Sequence, residues 1–198
     1  MKKETILIFL VIVTVIALLY FSSLFNTTSE VDAKKFFMED LEQSYPDADV
    51  REIIYINKVG EGSDAYYLLR ARVSNYLSTP CPERIEVEYQ YPARNFLKTD
   101  EKVVSGCQVC IDNRPNCHIS YPEEAIIASH TYEGTEAVQQ FLDNYPSAIP
   151  SASLLDEYDG GKNIWKIRWT SKTTNTSMDI FISQKDNEVV DVAYGGIQ

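Results

Sequence analysis

Four cysteines, Cys81, Cys107, Cys110 and Cys117, gather in the middle of a 198-residue chain, around a stretch rich in Pro, Asn and Asp. These side chains are the best equipped for chemistry, and three chemistries compete for them. An even cysteine count in an exported chain reads first as two disulfides. Three pairings are open: Cys107–Cys110 with Cys81–Cys117, Cys81–Cys107 with Cys110–Cys117, or the crossed pair. Closing a loop of a few tens of residues contributes about 3–4 kcal/mol in the chain-entropy picture, enough to pin a segment too polar to pack unaided. A second chemistry is redox, because Cys107-Gln108-Val109-Cys110 has the spacing of a dithiol motif. Such pairs normally open a helix whose field lowers a thiol pKa, whereas the residues around Cys110 are loop-like. The third is metal binding, with Cys107, Cys110, Cys117 and His118 as four soft ligands for zinc. Adjacent Cys117 and His118 would have to bend sharply to share one ion, and Cys81 would be left over. Structural disulfides are therefore the expectation.

The rest of the chain is poor in catalytic groups. It has two histidines, His118 and His130, and no Gly-rich phosphate loop, nucleophile elbow or paired-histidine metal motif. His130 lies near Ser129 and Glu133, where it could act as a base. The reading preferred here is a surface or capping histidine ahead of a helix that starts at Gly134-Thr135. Glu123 and Glu124, just after Pro122, look like the acidic first turn of a short helix rather than a carboxylate pair for catalysis. Ala125 to Tyr132 fits a helix or a strand equally. The expectation is a protein that is not an enzyme and holds no cofactor.

Charge narrows the partners. The chain carries 29 acidic and 18 basic residues, a net charge of −11. Such a field repels phosphate backbones and excludes nucleic acid as a natural partner. The acidic residues are scattered, as on a solvated surface. Two N-x-S/T sequons make Asn26 and Asn175 candidate glycosylation sites in an exported chain.

Residues 5–25, from Thr5 to Phe25, hold no charge, no Pro and no Gly. At 1.5 Å rise per residue, such a run is long enough for a hydrocarbon core of about 30 Å, and an unbroken helix satisfies its own backbone there. Lys2 and Lys3 precede it, which places the N-terminus in the cytoplasm and the rest outside. A cleaved signal peptide would have a shorter apolar run and a small-x-small site, and no Cys follows the run to accept a lipid. A retained single-pass anchor is expected, with residues 1–4 cytoplasmic and 26–32 a spacer.

Beyond the spacer, Ala33, Phe37, Leu41 and Tyr45 recur every fourth residue up to Pro46, the pattern of an amphipathic helix capped by Ser29 and Asp32. Three extended runs follow: Val50–Lys58, Ala65–Ser74 and Arg84–Tyr91. In the last, Ile85, Val87, Tyr89 and Tyr91 alternate with Arg84, Glu86, Glu88 and Gln90, as in a strand with one wet face. One hundred residues after the first helix, Ala137, Phe141, Tyr145 and Pro146 repeat the landmarks Phe37, Leu41, Tyr45 and Pro46. Behind them come Ala152–Tyr158, Asn163–Thr170, and the runs MDIFIS and EVVDVAY. This spacing points to an internal repeat. The predicted fold class is α+β, a transmembrane helix followed by two α-β-β-β units with antiparallel sheets, at 33–92 and 123–198, separated by a cysteine-containing insertion at 93–122.

The helix-then-meander order, and especially the stretch from Gly160 through Trp165, Ile180 and Val190, resembles PepSY-like and cystatin-like modules. The resemblance spans mainly Gly134 to Tyr194 and more faintly Val31 to Tyr91. The chain departs from the pattern in its final turn, where Asn187 replaces the usual Gly. The resemblance implies a helix packed across a curled antiparallel sheet, and a role in binding or restraining partners, often peptidases. The expected function is thus a membrane-anchored extracytoplasmic domain that binds a protein or peptide at the outer membrane-proximal surface. The alternatives are a thiol-redox or metal-binding protein built on Cys107 and Cys110, and an accessory subunit of a membrane assembly.

Overall fold

The computed structural model describes residues 11–16, 29–62, 65–92, 99–109 and 118–196. Helix α1 (Glu30–Ser44) begins where the Ser29 hydroxyl accepts the Asp32 backbone N–H at 3.1 Å, which satisfies one of the open donors of the first turn. It starts three residues ahead of Ala33. Ala33, Phe37 and Leu41 form its fully buried stripe. The stripe lies on a four-stranded antiparallel sheet in the order β1 (Val50–Val59), β2 (Tyr66–Asn75), β3 (Glu83–Tyr91), β4 (Thr99–Val104). Leu69, Ala71, Val73, Val87 and Tyr89 complete this core, with the Phe37 and Tyr89 ring centroids 4.9 Å apart.

The second half opens with two helices, α2 (Pro122–Thr131) and α3 (Glu136–Asn144). The ambiguous run Ala125 to Tyr132 lies almost wholly in α2. Pro122 in its first turn lacks the N–H that a helix start leaves unpaired anyway. A second sheet follows, in the order β5 (Ile149–Tyr158), β6 (Gly161–Ser171), β7 (Thr176–Ser183), β8 (Val189–Gly196). Trp165, Ile167, Trp169, Met178, Ile180 and Ile182 face the helices and pack against Ala125, Ile126, Val138 and Phe141. The Trp165 indole N–H donates to the Ile119 carbonyl at 2.7 Å, and that of Trp169 to the Ser129 hydroxyl at 3.0 Å.

The fold class is α+β with two antiparallel sheets, but each sheet has four strands, not three. The added strand of the first sheet is β4, drawn from the 93–122 insertion and paired with β3 from Arg84↔Val104 to Glu88↔Thr99. Its short, charged sequence TDEKVV carries no clean alternation, so periodicity misses it. The helix ends repeat closely one hundred residues apart. Tyr45 and Tyr145 cap α1 and α3 at φ/ψ of −130/61° and −132/66° and donate to Leu41 and Phe141 respectively. Ala48 and Ala148 then donate to the carbonyls of Tyr45 and Tyr145. Asn187, in the final turn, adopts φ +58°, the conformation in which a Gly is least strained and Asn is tolerated.

Of the apolar run 5–25, only 11–16 are described. They are helical, and Val11, Ile12, Val13, Val15 and Ile16 are exposed. Among the described residues no helix is long and apolar enough to cross a membrane. The remainder of that run lies outside the described residues, as does Asn26.

Candidate functional site

The pairing of β3 with β4 decides the cysteines. Arg84 faces Val104 across the ladder, so the chain three residues before Arg84 and the chain three residues after Val104 emerge side by side. Cys81 and Cys107 sit at those points, with Cα atoms 4.7 Å apart, and form a disulfide. Of the three pairings the sequence allowed, this one contains Cys81–Cys107; Cys110 and Cys117 lie outside the described residues. With its sulfur bonded to Cys81, Cys107 is not bonded to Cys110, and it is withdrawn as a thiolate ligand from the set Cys107, Cys110, Cys117 and His118. His118 itself is exposed.

The histidine that does reach the sulfurs is His130. Its Nε2 stands 3.8 Å from Cys107 Sγ, and the ligand atoms of Cys81, Cys107 and His130 all lie within 4.8 Å of one another. The other ring nitrogen, Nδ1, is 3.0 Å from the Ile126 carbonyl one helical turn back. A carbonyl can only accept, so Nδ1 carries the proton and Nε2 presents its lone pair to the sulfur. The ring meets Trp169 edge-on at 5.7 Å. Burial pushes the imidazole pKa below its ordinary value, and the Ile126 hydrogen bond opposes this only in part. The expectation of a surface or capping histidine is corrected: His130 lies half-buried in the last turn of α2. Its contact with Cys107 spans 23 positions of sequence, which no local pattern encodes.

A second cluster joins the two halves. Glu123 and Glu124 do form the acidic first turn of α2, yet both are buried against the first sheet. Glu124 accepts from Arg84 at 2.9 Å and from the backbone N–H groups of Ser120 and Tyr121 at 2.6 and 3.1 Å. Glu123 accepts from the Ser74 hydroxyl and lies 3.8 Å from Arg72. The Arg72 and Arg84 guanidinium carbons stand 5.0 and 4.3 Å from the Tyr121 ring centroid. The wet-face reading of Arg84 is thereby corrected, because α2 covers that end of the sheet and leaves Arg84 4% exposed. Burying charges is costly unless they are paired, and here each arginine has a carboxylate and a shared aromatic face.

A third feature is the face of the second sheet that points away from the helices. There Asp179 receives a bidentate pair from Arg168, at 2.6 and 2.7 Å, and Lys166 at 3.0 Å. The Arg168 guanidinium, with Lys166 beside it, holds the Asp179 carboxyl below its usual range despite partial burial. Tyr158 stacks on Phe181 at 3.8 Å and donates its hydroxyl to Asp191 at 2.6 Å. Next to this network, Ser151, Ser153, Leu155, Lys166 and Arg168 line an open groove of about 350 Å³. Another, of about 390 Å³, runs between α3 and the β7–β8 edge past Phe141, Tyr145 and Tyr194. The sequon residue Asn175 is exposed in the β6–β7 turn at φ +56°.

No protein-family model matches this chain, and no curated protein matches it. Among solved structures it is similar to the crystal structure of a "putative lipoprotein" from Clostridium difficile 630, at 16% identity and a TM-score of 0.23, over 83% of this chain and 91% of that one. A likeness of that size carries no argument about this chain.

Proposed function

We propose that this chain is a membrane-anchored extracytoplasmic domain that binds a protein or peptide partner through the outer face and free edge of its second sheet. The observation that carries the reading is β5. It is a ten-residue edge strand, bonded to β6 alone within its sheet, and it borders the groove of Ser151, Ser153 and Leu155. An unpaired edge offers a row of backbone donors and acceptors to an added strand. Lys166 and Arg168 line that groove and both pair with Asp179, so the groove presents cationic side chains on an acidic chain and favours an acidic peptide. The PepSY-like and cystatin-like resemblance supports the same class of role. The anchor rests on the uncharged run 5–25 and on Lys2 and Lys3 before it.

The test is photo-crosslinking in native membranes, with the reactive group at Ser153 on the β5 side of the groove or at Gln140 on α3. A discrete adduct from Ser153 that weakens in Arg168→Glu, with little from Gln140, is the expected result. Equal adducts from both positions, or none from either, would overturn the sheet-edge assignment. Alkaline extraction tests the anchor separately, since an anchored chain stays in the membrane pellet.

A further inference from the structure

We propose that Cys81–Cys107 is an exchangeable disulfide, with His130 as the proton acceptor for the Cys107 thiol and an external dithiol as its redox partner. This goes beyond the partner-binding role and does not depend on it.

Three observations support the assignment. The two cysteines differ in exposure, because the residue Cys81 is exposed while Cys107 is partly covered. An incoming thiolate therefore meets Cys81 first and expels Cys107. The leaving sulfur faces His130 Nε2 at 3.8 Å, and the Ile126 carbonyl on Nδ1 fixes the tautomer whose lone pair points at it. In the reduced pair the Cys107 proton can pass to Nε2, and a cysteine beside the imidazolium so formed is more acidic and therefore the better leaving group in thiol–disulfide exchange. A purely structural disulfide has no need of an imidazole held in that orientation.

Among the described residues, the groups facing His130 are few. Its own helix supplies the Ile126 carbonyl, β6 supplies the edge-on Trp169, and the segment after β4 supplies Cys107. Among the described residues, burial and the Ile126 hydrogen bond are the influences on its basicity, with no charged neighbour among them. Burial thus favours the neutral ring beside the intact disulfide, and its Nε2 lone pair is directed at Cys107.

The chemistry balances as follows. A partner thiolate attacks Cys81 Sγ, a partner–Cys81 bond forms, the Cys81–Cys107 bond breaks, and its electron pair leaves on Cys107. Nε2 takes the proton of the partner's second thiol and passes it to the Cys107 thiolate. The deprotonated second sulfur then attacks the partner's own first sulfur in the mixed disulfide and releases Cys81 as thiolate. That thiolate takes up from solvent the proton that the partner's first thiol had lost. The partner ends as a disulfide, oxidised by two electrons, and this chain ends with two thiols. Run backwards, the same steps reoxidise the pair.

The test uses the full chain in detergent, with Cys110 and Cys117 both replaced by Ser so that one disulfide remains, and dithiothreitol as the probe. His130→Gln keeps much of the ring volume but cannot take up a proton. Reduction of the folded protein at pH 7 is expected to be slower by about tenfold or more in this variant. In a Cys81→Ser version, the pH profile of Cys107 alkylation by iodoacetamide should have its midpoint below the ordinary thiol value of about 8.5 and move upward with His130→Gln. A loss of packing alone would expose Cys107 and speed both reactions. Equal rates and profiles with and without His130 would overturn the proposal, as would a disulfide that dithiothreitol reduces only after unfolding.

Discussion

The buried pair Arg84–Glu124 gives the sharpest test of what holds the two halves together. Glu124 accepts three hydrogen bonds, from Arg84, Ser120 N–H and Tyr121 N–H. Replacing it by Gln keeps an acceptor for the two backbone groups and removes only the charge that faces Arg84. The guanidinium is then left uncompensated in a site where it is 4% exposed, with the Tyr121 ring and a distant Glu86 oxygen at 4.0 Å as its remaining support. Breaking a buried pair this way costs about 3–5 kcal/mol. For a chain of this length, each kcal/mol lowers Tm by about 2–4 °C, so Glu124→Gln should melt roughly 6–20 °C lower. Arg84→Met alone should cost a similar amount, because it strands the Glu124 carboxylate. The double variant should recover to within about 1 kcal/mol of the parent, since Met packs on Tyr121 and the neutral amide serves the two N–H groups. Thermal unfolding followed by circular dichroism, over all four members of the cycle, measures the coupling. Two single variants each costing under about 1 kcal/mol, with an additive double, would refute the claim that the pair is desolvated and coupled.

Further predictions are smaller in scope. Phe37→Ala empties the centre of the α1 stripe, where the ring is fully buried against Tyr89. It should cost about 3–5 kcal/mol in urea unfolding. Gly134 sits at φ +84° between α2 and α3, so Gly134→Ala should destabilise by about 1–2 kcal/mol through backbone strain. A Cβ there would meet Val189 at an ordinary 3.6 Å, and a neutral outcome would show that the turn relaxes. Asp179 is held below its usual pKa by Arg168. Its contribution is therefore present above the unfolded-state carboxylate pKa and is lost as pH falls through the lower folded value. Arg168 is half exposed, which limits the effect to about 1 kcal/mol or less. The gap in stability between the parent and Asp179→Asn should be constant from pH 7 to 5 and close below pH 4; a gap that widens on acidification would contradict the sign.

How much was legible in the sequence follows from the range of each interaction. The α1 stripe, its Ser29 cap, the alternation of β2, β3 and β6, and the matched Tyr-Pro helix ends depend on residues a few positions apart, so periodicity and capping chemistry specify them. Strand β4 was missed because its partner supplies the reason for it to be extended. Arg84 was assigned to a wet face because alternation tells which face a residue takes, not what later covers that face. His130 was given a local role because nothing within its own segment connects it to Cys107.

The cysteines show the division most clearly. By itself the sequence determined that Cys81, Cys107, Cys110 and Cys117 could pair, and that three connectivities were equally legal, because composition and spacing limit options without setting distances. Only the tertiary structure decided which sulfur meets Cys107, and it did so through β4. Register with β3 carries Cys107 back to Cys81, α2 crosses the sheet end to bury Arg84, and the last turn of that helix sets His130 beside the sulfur. The physical reason is common to all three contacts. They link segments more than twenty residues apart, and their geometry exists only once two sheets and the helix between them have packed.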